Sequence, residues 1–267
     1  MTTCIKKEIL LKAENINLFY DDKVILREVN FCIKDIVRPD VKQGQVVSLI
    51  GRSGIGKTQL FRILAGLQKP TSGTIQLRNK EMVKAGDMGV IFQNYYLFEW
   101  RTVVHSLMLA AKQNKVLEGK EKEMIDQYAV QFNLKEELNK YPQQLSGGQR
   151  QRASIIQQLL KGSDFLLLDE PFGALDAKIR KELRQWLRAL HDRTHHTTLF
   201  VTHDQDEAFE LADRIAVLSR GKIEQIGTKM ELTQAPATNF VADFIQEAEM
   251  TQGPVATPSK RRFFWWR

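Results

Sequence analysis

Three short stretches combine residue types and spacing that suit phosphate chemistry. The first is "GRSGIGKT" (51–58). It follows an apolar, strand-like run, "QVVSLI", and opens "KTQLFRILAGL", whose apolar residues recur at helical spacing. A strand, G-x-x-x-x-G-K-T and a helix in that order form a phosphate-binding loop in its required context. Glycines let the backbone curl until several N–H groups point at one anion, and the following helix adds its positive end. The candidate cradle is the whole run Gly51, Arg52, Ser53, Gly54, Ile55, Gly56, Lys57, Thr58 and Gln59. Lys57 suits the β- and γ-phosphates of a nucleotide, and the Thr58 hydroxyl suits Mg²⁺.

The second stretch is "FLLLDE" (165–170). Its apolar run buries a strand and delivers Asp169 to the carboxyl end, where it can hold Mg²⁺ directly or through water. Glu170, one residue on, suits orientation or deprotonation of an attacking water. Alone, this is any strand end. With the glycine loop, it implies binding and hydrolysis of a nucleoside triphosphate. The third stretch, "LSGGQRQR" (145–152), is a second glycine turn. Ser146 can cap a helix starting near Gly147, and the glycines again expose N–H groups. Taken alone, a capped helix without a ligand explains it as well.

The elements that must carry these residues alternate. "EILLKAENINLFY" and "KVILREVNFCI" read as strands, "DIVRPDVKQG" as a loop interrupted by Pro39 and Gly44, and "GTIQL" and "MGVIF" as short strands. From about 99 to 145 the pattern is helical, with Met124, Ile125, Tyr128, Ala129 and Phe132 on one face. Alternation then resumes: "FLLLDE" strand, "AKIRKELRQWLRALHDR" helix, "TTLFVTH" strand, "DQDEAFELA" helix and "RIAVLSRGKIEQIGT" hairpin. This pattern predicts an α/β fold: a P-loop core on a mainly parallel sheet, an antiparallel β-subdomain and an inserted helical subdomain. One domain over 1–249 and an unstructured basic-aromatic tail over 250–267 are expected.

The 267 residues suffice for a sizeable core, and no run approaches the roughly 18–20 apolar residues of a membrane span. The N-terminus lacks the apolar stretch of a signal peptide. Two cysteines, Cys4 and Cys32, make neither a disulfide framework nor a metal cluster. The net charge is +7, but Lys260, Arg261, Arg262 and Arg267 follow the last acid, Glu249, so the rest carries only +3. That distribution does not favour a nucleic-acid surface.

The ordered set of motifs resembles the ATP-binding subunits of ABC transporters, over about 10–240. "GRSGIGKT" matches the Walker A loop, "LSGGQRQR" the ABC signature, and "FLLLDEP" Walker B with its glutamate. "VIFQNYYLF" puts Gln93 at the Q-loop, "GALD" puts Asp176 in the D-loop, and "FVTHD" puts His203 at the H-loop. Tyr20 falls where the family has an aromatic residue that stacks on adenine; a mere strand-end aromatic is the alternative. The resemblance implies that Gln93 senses Mg²⁺ and the water, and that His203 contacts the γ-phosphate and positions Glu170. It also implies that Ser146, Gly147, Gly148 and Gln149 face ATP held by a second cassette, in a head-to-tail dimer. The other histidines read as solvated helix-end or loop residues.

Some positions depart from the family pattern. Gln59 stands where a second hydroxyl is usual, Gly173 where serine is commoner in the D-loop, and residues 35–43 add length where relatives have a tight hairpin. That extra loop is either a partner contact or neutral decoration. "YYLFEWRTVVHSL" resembles a form found in nitrate, sulfonate and taurine importers, with Glu99 in place of the usual proline. In the family it borders the groove for a coupling helix; packing inside the helical insertion is the alternative. The tail "SKRRFFWWR" is a solvated end, or touches lipid headgroups or RNA. No regulatory domain is expected after the last hairpin.

The expectation is therefore an ATPase subunit, peripheral on the cytoplasmic face of the membrane, that energises an importer of a small solute such as an anion or sulfonate. Its cofactors are ATP and Mg²⁺. Its partners are a second cassette, separate transmembrane permease subunits and a periplasmic or surface solute-binding protein, with no nucleic acid. The alternatives are a soluble ABC ATPase acting on nucleic acid or ribosomes, and the cassette of a split exporter.

Overall fold

The computed structural model describes residues 9–251, apart from 35, 36, 39, 40, 43, 44, 79, 81, 94–96, 164, 174–176 and 195. Two long strands open it, β1 (Ile9–Tyr20) and β2 (Lys23–Lys34), which pair antiparallel. Their alternating burial matches their alternating apolar residues: one face is packed and the other solvated. Next come β3 (Val37–Arg38) and β4 (Val41–Lys42), a minimal antiparallel hairpin inside the segment expected to be a loop. Two-residue strands are too short for a periodic pattern to reveal.

Strand β5 (Val46–Ile50) leads through the glycine loop into α1 (Lys57–Leu64). Strands β6 (Ser72–Leu77) and β7 (Gly89–Ile91) follow. The helical insertion contributes α2 (Val103–Ala111) and α3 (Glu121–Gln131), and α4 (Gly147–Leu160) returns to the core. Then come β8 (Phe165–Asp169), α5 (Ala177–Thr194), β9 (Thr197–Thr202) and α6 (Gln205–Leu211). The hairpin of β10 (Arg214–Ser219) and β11 (Lys222–Gly227) precedes α7 (Lys229–Gln234) and α8 (Asn239–Thr251). Helix α8 includes the first two residues of the stretch expected to be tail; 252–267 lie outside the described residues.

The larger sheet has the order β11-β10-β5-β9-β8-β7 and is parallel except for β11; β2-β1-β6 form a separate antiparallel sheet. Every residue of β5, β8 and β9 is buried. These strands, largely apolar but with Ser48 and three threonines buried as well, therefore belong to a sheet covered on both faces. One face packs with α1 against the antiparallel sheet, through Leu49, Phe61 and Leu167 among others. The other packs against the helical insertion, α4 and α5. Ile125, Ala129 and Phe132 of the expected helix face are buried, and Met124 and Tyr128 pack beside them. Phe132 meets Trp186 of α5 with ring centroids 4.7 Å apart, which ties the insertion to the core. A third cluster joins β10 to α7 and α8 through Leu232, Val241 and Phe244.

Candidate functional site

Register brings the motif residues together. Ile50 of β5 is opposite Thr202 of β9, and Val201 of β9 is opposite Asp169 of β8. With ~4.8 Å between neighbouring strands, three strand ends lie within about 10 Å at the carboxyl edge of the sheet. Open α/β sheets bind ligands at that edge. The glycine loop leaves from β5, Glu170 from β8 and His203 from β9.

The loop is shaped by close approach and by left-handed backbone. A Cβ on Gly51 would meet the Leu218 carbonyl oxygen at 2.5 Å, so only glycine fits there. Gly56 caps α1 with φ 103°, a conformation that costs a side-chain-bearing residue heavily. Leu60 N donates to Gly56 O at 2.9 Å. The amides of Lys57, Thr58 and Gln59 precede that first helical bond and belong to the unsatisfied first turn of the helix. The Lys57 ammonium donates to the carbonyl oxygens of Gly51 (2.8 Å) and Arg52 (3.0 Å), pinning the loop closed. Burial pushes its pKa down, opposed by the carboxylates of Glu170 and Asp169.

A cavity of ≈ 290 Å³ opens over this loop. Of the expected site residues it is lined by Tyr20, Ser53, Gly54, Gly56, Lys57, Thr58, Gln59 and Glu170. Ile25 of β2 also lines it, a residue that sequence reasoning missed because nothing local distinguishes it from other strand residues. Gly51, Arg52, Ile55, Asp169, Gln93 and His203 are not in its lining. Asp176 falls within 174–176, outside the described residues.

Asp169 is buried, and its Oδ1 has no hydrogen-bond partner. Burial, with Glu170 adding to it, pushes the Asp169 carboxyl up to about 6, against the pull of Arg62 and Lys57. Glu170 adopts φ 43°, strained for a non-glycine residue, and is held by its N–H to Val201 O at 2.9 Å. His203 Nδ1 stands 3.4 Å from Glu170 Oε1. Gln93 is exposed, yet a Cβ on Gly173 would sit 3.6 Å from Gln93 Nε2 and 3.7 Å from Glu170 Oε2. Gln93 and Glu170 thus both lie beside Gly173, where an added Cβ would make only ordinary van der Waals contacts.

The second glycine turn is elsewhere. Ser146 caps α4 in a reciprocal box: Gln149 N donates to Ser146 Oγ (3.2 Å), and Ser146 N to Gln149 Oε1 (2.9 Å). Gln149 Nε2 donates to Glu137 at 3.0 Å, so the glutamine is committed to the helix start. Ser146 is exposed and Gly147 half-buried, and neither lines the cavity over the first loop. Within one chain Ser146 and Gly147 thus add nothing to that cavity.

A family model described as "ABC transporter" matches residues 35–173, about half of the chain. The chain belongs to the ABC transporter family. It is similar to the sulfate/thiosulfate import ATP-binding protein CysA of Synechocystis sp., at 42% identity over 240 residues, 88% of this chain and 65% of that protein. CysA of Vibrio vulnificus is 44% identical over 229 residues, covering 81% of this chain and 66% of that one. CysA 2 of Rhizobium meliloti is 46% identical over 217 residues, covering 78% and 59%. The chain thus spans 59–66% of the length of these three curated relatives. Among solved structures, CbiO1 of Clostridium perfringens, part of the ABC transporter complex CbiONQ, superposes with TM-score 0.74 at 24% identity, covering 92% of this chain and 96% of that one. A dimeric ATP-binding cassette in a post-hydrolysis state with ADP and Pi superposes with TM-score 0.66 at 28% identity, over 82% and 98%.

Two features of this ABC chain lie away from the cavity. In the helical insertion, Trp100 is 74% exposed, with its ring 5.5 Å from that of Phe98 and the Arg101 guanidinium 5.8 Å from the same Phe98 ring. Tyr95 and Tyr96, from the same motif, lie outside the described residues. His191 corrects the expectation of solvated histidines. It is buried, its Nδ1 lies 3.0 Å from His196 O, and Asp213 is nearby at 4.0 Å. Among the described residues, no helix is long and apolar enough to cross a membrane.

Proposed function

We propose that this chain is the ATP-binding and ATP-hydrolysing subunit of an importer for a small oxyanion. The observation that carries the reading is the meeting of the glycine loop, Asp169–Glu170 and His203 at adjacent strand ends, around a cavity that Tyr20 and Glu170 both line. The loop amides and Lys57 bind the phosphates. Glu170 orients and deprotonates the attacking water, and His203 fixes the Glu170 carboxylate. Gln93, also beside Gly173, reads the same water.

The residues fit Mg²⁺. Asp169 offers a buried carboxylate oxygen with no partner, whose ionised form a cation would favour. Among the described residues no group of three or more His, Cys, Asp or Glu side chains could hold a metal alone. That suits an ion held by one carboxylate, the Thr58 hydroxyl and the nucleotide itself. Bound there, it would neutralise charge on the β- and γ-phosphates.

Two copies would close head to tail, Ser146, Gly147 and Gly148 of each completing the phosphate site of the other. That Ser146, Gly147 and Gly148 do not line the cavity of their own chain supports this, as does the dimeric cassette among the structural relatives. The exposed Trp100, beside Phe98, would dock a permease subunit, and residues 1–249 would act as one ATPase unit peripheral to the cytoplasmic face. A solute-binding protein would deliver the cargo. The relatives named for sulfate and thiosulfate import, and the likeness of the Trp100 segment to nitrate, sulfonate and taurine importers, share one substrate chemistry: a small oxyanion. The test is to purify the chain from its native membranes. A multi-spanning protein should come with it, and oxyanion uptake should stop when Glu170 is changed to Gln. Recovery with ribosomes or nucleic acid and no membrane protein would refute the reading.

A further inference from the structure

The cavity over the glycine loop has a feature that phosphate binding does not use. Tyr20 ends β1 at its rim, with 47% of its surface exposed. A ring that open would ordinarily swing between rotamers. Here its hydroxyl is held from two sides. It donates to Gln59 Oε1 at 3.1 Å and accepts from Gln68 Nε2 at 2.8 Å. Gln59 is the third residue of α1, in the turn whose amides open toward the loop, and Gln68 lies just beyond the end of the same helix. Both ends of one rigid helix thus hold one exposed phenol. The Gln59 side chain reaches the rim of the cavity, while its backbone N–H stays in the first helical turn.

We propose that Gln59 is a positioning residue, linking the phosphate loop to a base platform made by Tyr20. Resting on the ATPase reading above, the inference adds that the Tyr20 ring is set before nucleotide arrives. Preorganisation of this kind raises affinity by removing the entropy cost of ordering a side chain on binding. It acts only on ligands that carry a base. A phosphate contact from the Gln59 side chain would act on every polyphosphate alike, and that contrast makes the two roles separable.

The experiment is calorimetric titration of the whole chain with MgATP and with magnesium tripolyphosphate, which has phosphates but no base. Wild type, Gln59→Leu, Tyr20→Phe and the double variant are compared, with thermal melts to confirm that each is folded. Losing one hydrogen bond at a half-exposed site corresponds to about a three- to tenfold change. Gln59→Leu should weaken MgATP by that factor and leave tripolyphosphate within about twofold. The double variant should bind MgATP no more weakly than the weaker single variant, because both act through one hydroxyl. Equal losses for the two ligands, additive losses, or no loss in Gln59→Leu would overturn the inference and leave the phosphate cradle standing. A wild-type chain that binds neither ligand would instead sink the ATPase reading, and this inference with it.

Discussion

His203 Nδ1 lies 3.4 Å from Oε1 of Glu170, across the carboxyl ends of two parallel strands that neighbour each other in the sheet. The contact is set by register: Glu170 N donates to Val201 O, so the backbone bond next to the histidine also anchors the carboxylate. His203 is half exposed and Glu170 a quarter exposed, so the pair opens to solvent and to a ligand arriving there. Replacing His203 with Ala should leave ATP binding within a few fold and cut turnover by roughly 10²-fold or more. Steady-state phosphate release beside equilibrium ATP binding measures the split; equal losses in both would contradict a role through Glu170.

Glu170→Gln should lower turnover by about 10²–10⁴-fold while retaining ATP. Arrest before hydrolysis should also trap the closed pair. Light scattering with saturating MgATP should then show doubled mass for this variant; an unchanged monomer mass would argue against the shared site.

Ser146→Arg places a long cation at the exposed start of α4, away from the cavity. Binding of ATP to one chain should change by less than about threefold. Hydrolysis should fall to background, because the partner's half of the site is blocked. The variant also loses the serine cap, typically ~1 kcal/mol, so a melt a few degrees lower is expected. Turnover that persisted would show that each chain hydrolyses alone.

Lys57→Ala removes the ammonium that bridges to the Gly51 and Arg52 carbonyls. Nucleotide affinity should drop at least about tenfold, since a charge-assisted phosphate contact goes with it. Direct titration with ATP checks this.

A pH effect follows from Glu207 in α6. It is buried, and its carboxyl accepts from Thr202 Oγ1 at 2.5 Å. Burial pushes it up to about 7 from an ordinary 4.5, with Asp204 adding to the rise and Thr202, Arg180 and Arg184 opposing. The fold therefore holds a proton that the unfolded chain releases. The stability gained is complete below about 4.5 and is lost as pH rises through about 7. Thermal melts of wild type should fall from pH 5 to pH 8. Glu207→Gln keeps an acceptor for Thr202 without the buried charge. It should match wild type at pH 5 and melt higher at pH 8, by about 2–4 °C for each kcal/mol relieved. Parallel pH curves for the two proteins would refute this account.

Much of this protein was legible in local sequence because its decisive signals are contiguous. The largely apolar runs of β5, β8 and β9, with Gly51, Glu170 and His203 after them, state a covered parallel sheet with chemistry at one edge, because periodicity and loop stereochemistry act over a few residues. The helix face of Ile125, Ala129 and Phe132 followed from the same local rule. The hairpin of β3 and β4 carried too short a pattern to see, whereas the burial of His191 was open to the same helical rule, since it lies four and eight residues past the buried Leu187 and Leu183 of α5. Tertiary structure alone decided which strand ends are neighbours, that Gln93 and Glu170 both lie beside Gly173, and that Tyr20 is gripped by Gln59 and Gln68. Those contacts join residues tens of positions apart. They form only when sheet order and register have already brought distant segments together, and that is a property of the packed whole.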